Sequence, residues 1–234
     1  MDDIKKIKSD LISKQSYSFT DLCNLVSVLR SPVGCPWDRE QTNKSVRNAF
    51  IEETYEFIEG LDLDDNKLMC EELGDVLFQI IFHSDLKKDE NKFNIDDVIN
   101  GICKKMILRH PHVFADVCVE NSAQVLVNWE NIKNEEKQRQ TPKMQLDSIA
   151  KSLPSLIRGQ KIVSKSKKTG VLDKEETSTL FERLSKSVET FKNNQNSACA
   201  GEVLMNVCAI CSNIDVDAEQ ALYEKNEKFL EQFN

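Results

Sequence analysis

Residues 52–56 read Glu-Glu-Thr-Tyr-Glu, and residues 71–75 read Glu-Glu-Leu-Gly-Asp. Residues three apart on a helix share a face. Glu53 and Glu56 therefore point one way with Glu52 beside them, and Glu72 and Asp75 do the same on a following helix. Only "LDLDDN" separates the two segments, so the helices should be antiparallel neighbours with their acids across one groove. Unpaired carboxylates held close raise one another's pKa and destabilise the fold. A hard divalent cation removes that conflict, and all-oxygen ligation suits Mg²⁺, with Mn²⁺ or Ca²⁺ possible. Either motif alone is ordinary solvated helix surface. The two together, beside apolar packing positions, favour a bound ion. A di-iron bundle would need Glu-x-x-His. The residues three before His83, His110 and His112 are Ile80, Ile107 and Arg109, so iron is discounted.

A carboxylate-held Mg²⁺ with open coordination positions usually meets phosphate. The sequence has no P-loop and no dinucleotide-binding glycine pattern, so positive side chains must help hold a phosphate chain. Lys105 and Arg109, four apart on one helix, are candidates for that role, and Trp37 in "CPWD" either stacks on a base or anchors its loop in the core. "CAIC", residues 208–211, lies inside an apolar helix without a second cysteine pair and reads as buried packing.

The elements that position these residues are helical. Seven Gly and five Pro in 234 residues are few for a strand-rich chain. The pattern gives an all-α protein of about nine helices. One runs from a Thr20 cap to Arg30, one over 43–61, one over 67–88, one from an Asn94 cap to "RHPHVF", and one opens at Ser122. Four more stretches follow a Pro-bounded linker. "SPVGCPWD" reads as irregular, and the helix over 67–88 is expected to bury Leu73, Val76, Leu77, Ile80 and Ile81.

The chain also repeats itself at an offset of 130 residues: Phe50-Ile51-Glu52 falls on Leu180-Phe181-Glu182, and Glu72 on Glu202. Glu53, Glu56 and Asp75 fall on Arg183, Lys186 and Met205. The expected organisation is therefore tandem four-helix-bundle-like units: 1–139 with an intact acidic site, a linker over 140–152, and 153–234 with a degenerate one. The formal net charge of −8 disfavours nonspecific nucleic-acid binding. No apolar run is long enough to span a membrane, and "MDDIKKIKSD" lacks a signal-peptide core. The expectation is a soluble, cytoplasmic protein whose eight cysteines are unpaired.

E-E-x-x-E, a spacer and E-x-x-D resemble the signature of the MazG nucleotide pyrophosphohydrolases. "LRSPVGCPWDREQT", "RHPHVF", "VLVNWENIKNEEK", "KSLPSLIRGQKI" and "EKNEKF" resemble further segments of that family in matching order. The resemblance implies Mg²⁺-dependent hydrolysis of nucleoside triphosphates to monophosphate and pyrophosphate, in housekeeping of the nucleotide pool, by an all-α homodimer. It implies Glu53, Glu56, Glu72 and Asp75 as metal ligands, and Glu52 as a further ligand or the group orienting the attacking water. Long members carry an acidic motif set in the second half as well, where this chain has Arg183, Lys186 and Met205 in place of three of the acids. The alternative is a nucleotide- or partner-binding regulatory protein that has lost turnover.

Overall fold

The structure is a computed structural model that describes residues 2–139 and 141–233. Among the described residues every regular element is a helix. They are α1 (Asp2–Ser13), α2 (Phe19–Leu29), α3 (Pro36–Glu40), α4 (Arg47–Asp62), α5 (Asn66–Asp89), α6 (Ile95–Arg109), α7 (Pro111–Phe114), α8 (Ser122–Glu136), α9 (Pro142–Asp147), α10 (Ser155–Lys168), α11 (Thr177–Asn193), α12 (Ser197–Asn213) and α13 (Ala218–Leu230), then a 3-10 turn over Glu231–Phe233.

Four of these helices depart from the sequence expectation: α1, α3, α7 and α9. α1 is half charged and carries four apolar residues, Ile4, Ile7, Leu11 and Ile12. α3, α7 and α9 each begin with a proline, which sequence pattern alone treats as a breaker. Proline at the first helical position loses no hydrogen bond and is already set at the helical φ, so it starts these helices. The caps also sit slightly upstream of the expected ones. Ser18 and Asp21 form a capping box for α2, and Asn121 caps α8.

Scarce glycine does not leave the helix ends ragged. α4, α5, α8 and α12 stop at Asp64, Asn91, Gln138 and Asp215, all with φ between 51° and 54°. In each case the next backbone N–H closes onto a carbonyl five residues back, as Asp65 does onto Gly60 at 2.9 Å. These are left-handed caps built mainly from Asp and Asn, the residues other than glycine that best tolerate this conformation.

The chain divides into two compact units, Met1–Asp116 and Val117–Asn234. α8 therefore belongs with the second unit, where Lys165 on α10 donates to its Glu130 at 3.4 Å. In the first unit α4 and α5 form the principal helix pair and α2 packs on α5. Its core is Val26, Val46, Ile81, Phe82 and Leu86, with Leu22, Cys23, Phe78 and Ile95 against it. Arg30 reaches from the end of α2 to Asp85 and Asp89 on α5, with its guanidinium over the Phe82 ring. In the second unit α11 and α12 form the pair, α10 packs on α12, and the core is Val163, Leu180, Ala209 and Ile210. α4 and α11 start at Arg47 and Thr177, and α5 and α12 at Asn66 and Ser197, so the repeat holds within a residue.

One close approach fixes the loop ahead of the first acidic helix. A Cβ on Gly34 would stand 2.2 Å from the carbonyl oxygens of Val28 and Leu29, because the loop folds back on the end of α2 and Cys35 donates to the Leu29 carbonyl at 2.7 Å. Gly34→Ala is expected to destabilise the first unit by about 1–3 kcal/mol. Urea unfolding followed by circular dichroism checks this, and an unchanged midpoint would disprove the clamp.

A candidate metal centre on paired helices

Arg47–Asp62 and Asn66–Asp89 bring their acids together as their spacing required. Glu53, Glu56 and Glu72 each offer a carboxylate oxygen, all within 4.8 Å of one another. Among the described residues this is the one group of three acid, histidine or cysteine side chains so placed. Glu72 is 6% exposed, and its Oε2 is buried with no hydrogen-bond partner. Burial pushes the Glu72 carboxyl above its ordinary range, and the charges of Glu56, Asp75 and Glu53 push it further. Glu53 is raised for the same reasons, burial first and then Asp75, Glu56 and Glu52. A buried carboxylate oxygen with no donor, ringed by other carboxylates, is an electrostatic defect unless a cation completes it.

The other expected residues lie at varied places. Asp75 is exposed and outside the three-acid group, yet close enough for its charge to act on both Glu53 and Glu72. Glu52 is exposed, and its charge is felt at Glu53. Trp37 is 62% exposed, so it does not anchor its loop in the core. Lys105 is half-buried on α6, and Arg109, one turn on, is 5% exposed and engaged within the fold.

Sequence reading missed Gln79. It is buried on α5, one turn beyond Asp75, and lies close enough to Glu53 for its amide to offset part of the rise in that carboxyl's pKa. Its position extends the face of Glu72 and Asp75, so the same helical count that selected the acids could have found it. The reading also misplaced the buried face of α5. Leu73 is 50% exposed and Leu77 is also exposed, while Glu72, Gln79, Ile81, Phe82, Ser84 and Leu86 point inward. The apolar residues of α5 occupy two faces, and the acid line borders the inner one.

The corresponding place in the second unit is filled by the protein itself. Arg183, at the position of Glu53, donates from Nε to Asn206 Oδ1 at 2.8 Å and from Nη1 to Glu175 Oε2 at 2.7 Å. Asn206 in turn donates to Glu202, the counterpart of Glu72, at 3.5 Å. A fixed guanidinium supplies positive charge there. Cys208 and Cys211, a turn apart in α12, are unpaired, and Cys208 is buried.

Comparison with known proteins agrees with this geometry. Residues 41–114, which contain both acidic helix segments, match the profile of the MazG nucleotide pyrophosphohydrolase domain. The chain is 36% identical over 224 residues to the nucleoside triphosphate pyrophosphohydrolase of Escherichia coli K12, covering 91% of this chain and 84% of that protein. It is 33% identical over 219 residues to the nucleoside triphosphate pyrophosphohydrolase/pyrophosphatase MazG of Thermotoga maritima, covering 92% and 84%. It is 47% identical over 146 residues to the uncharacterized protein YabN of Bacillus subtilis, covering 62% of this chain but 30% of that longer protein. Similarity along nearly the whole length to two such proteins, with the acidic helix pair inside the matched domain, shows that the chain belongs to the MazG nucleotide pyrophosphohydrolase family.

Proposed function

We propose that this chain hydrolyses nucleoside triphosphates to monophosphate and pyrophosphate with Mg²⁺ as cofactor, Mn²⁺ serving as a substitute. The observation that carries this reading is the buried, unpartnered Glu72 Oε2 beside Glu53 and Glu56 in a chain of this family. The residues fit such an ion: all donors are hard carboxylate oxygens, with no sulfur or imidazole among them. Glu53, Glu56 and Glu72 would hold it and Asp75 would complete the set. A bound divalent cation lowers the pKa of its water and neutralises charge growing on phosphate oxygens.

The chain's own groups then have distinct tasks. Gln79, buried beside Glu53, is placed to orient that carboxylate and so limit where the ion can sit. Glu52, exposed beside Glu53, orients the attacking water or adds a ligand. Lys105 offers positive charge to the phosphate chain from α6, Arg109 supports it from a buried position, and exposed Trp37 is available to stack on a base.

A homodimer is part of the proposal. Ile51, Tyr55 and Ile58 form an exposed stripe on α4, and Leu73 and Leu77 form another on α5, beside the acids. Such apolar surface is more than a helix leaves bare without a covering partner. The second unit is proposed to hold no metal, since Arg183 supplies the charge. No single described helix is long and apolar enough to cross a membrane. Unpaired cysteines support a reducing, cytoplasmic setting, and net charge supports the exclusion of nucleic acid.

The test is pyrophosphate release from a panel of nucleoside triphosphates with and without Mg²⁺, run beside Glu202→Gln. Mg²⁺-dependent release is expected, and Glu202→Gln should keep the parent rate because Glu202 has a guanidinium-held amide beside it. Binding of nucleotide without release from any of them would overturn the reading in favour of a protein without turnover.

A further inference from the structure

A concavity of about 500 Å³ lies wholly within the second unit, between α8, the turn after it, the stretch 148–153 that follows α9, and α10. Five cations line it: Lys133, Arg139, Lys161, Lys165 and Lys168. They face one carboxylate, Glu130, in a chain whose formal net charge is −8. Glu130 accepts from Lys133 at 3.3 Å and from Lys165 at 3.4 Å, so one acid is shared by two lysines. Among the described residues the side chains of Arg139, Lys161 and Lys168 make no ion pair.

Ordinary structural reasons account for only part of this set. Lysines in the last turn of a helix complement its dipole, which explains Lys165 and Lys168 on α10. Lys161 lies a turn earlier on the same face, and Lys133 and Arg139 come from another part of the chain. Crowding like charges in a recess costs free energy, and that cost shows at Lys133. Burial pulls its pKa down, and Lys165 and Arg139 add to the fall against the pull of Glu130. The recess is also not purely polar, since Ile149 and Leu153 form part of its wall.

We propose that this recess is a binding site for a small anion carrying two or more phosphate groups. Cations converging from three directions onto a concave, partly apolar floor suit a compact polyphosphate better than an extended polymer, which would need a continuous surface. The five cations outnumber the one carboxylate, so the recess is locally positive in a chain that is negative overall. Two sources share this chemistry, free pyrophosphate and a nucleoside diphosphate. The apolar wall gives the second something to rest its base on. The site stands apart from the carboxylate centre and does not depend on the activity proposed there.

The test is calorimetric titration of the full chain with inorganic pyrophosphate and, separately, with ADP, both in EDTA. Without a divalent ion the carboxylate centre repels anions, so heat reports the recess. Saturable binding is expected, weakening as salt rises, with the ADP arm tighter if the apolar wall takes part. Lys161→Gln/Lys168→Gln should raise the dissociation constant at least about tenfold, and adding Arg139→Gln should raise it further. These groups have no internal ion partner, so the melting temperature should hold in the double variant, which keeps the test valid if the triple variant folds poorly. No saturable heat with either anion, or equal binding by parent and double variant, would overturn the proposal. So would loss of binding in Glu72→Gln, which would locate the anion at the carboxylates instead.

Discussion

Glu72→Gln is expected to cut Mg²⁺-dependent pyrophosphate release by at least about a hundredfold, and at the same time to raise the melting temperature of the metal-free protein. The two signs follow from one geometry. Glu72 is buried, its Oε2 has no donor, and Glu53, Glu56 and Asp75 repel it. Glutamine keeps the shape, removes the charge, and places an amide donor among carboxylates that lack one. The apo fold therefore gains while the ion loses its most enclosed ligand. Glu56→Gln should lose activity similarly, with a smaller gain in stability because Glu56 is exposed. A residue that merely supports the helix pair behaves differently: its replacement lowers both quantities. Thermal melts in EDTA alongside a pyrophosphate assay separate the cases. Full activity in Glu72→Gln would reject the ligand assignment. A lower melting temperature would show that the buried carboxylate is stabilised in some other way.

The helix pairs were legible because burial leaves a period in the sequence, and the 130-residue offset survives as matching starts of α4 with α11 and α5 with α12. The acids were legible because three-residue spacing is itself a statement about faces. What could not be read was which apolar face of α5 turns inward. Leu73 and Leu77 keep helical spacing as well as Ile81, Phe82 and Leu86 do, and period alone does not distinguish a core from a surface left for a partner. Gln79 escaped because a search for charge passes over an uncharged group that positions one. Arg183 was visible as a lost acid. Its destination was not, because Glu175 and Asn206 are placed against it by tertiary packing alone. The prolines opening α3, α7 and α9 mark helix stops by pattern alone, yet at a first helical position they forbid nothing.

In metal-free protein the carboxylate centre should lose stability as pH rises, and Mg²⁺ should reverse that slope. Glu53 and Glu72 both have folded pKa values above the ordinary 4.5. Between 4.5 and those raised values the native state binds more protons than the unfolded chain. Their contribution to stability is therefore complete below 4.5 and is lost as pH rises through the folded pKa values. His83 works the other way. It is half-buried on α5, where the Asn43 amide nitrogen lies 2.8 Å from its Nδ1, and burial lowers its pKa from 6.5. Its contribution is complete above 6.5 and falls as pH drops toward the folded value. The two trends partly cancel in a single melting curve, so a plain pH profile is a poor test. The difference between curves in Mg²⁺ and in EDTA is a good one. His83 lies outside the acid group and should contribute nearly equally to both. Mg²⁺ requires deprotonated ligands, so its stabilisation should grow as pH rises from 4.5 through the raised folded pKa values of Glu53 and Glu72, and binding below those values should release protons to the buffer. Melting temperatures across that range, with calorimetry in two buffers of different ionisation enthalpy, measure both quantities. A Mg²⁺ increment that is flat with pH, with no proton released, would mean that the ion does not sit among these carboxylates.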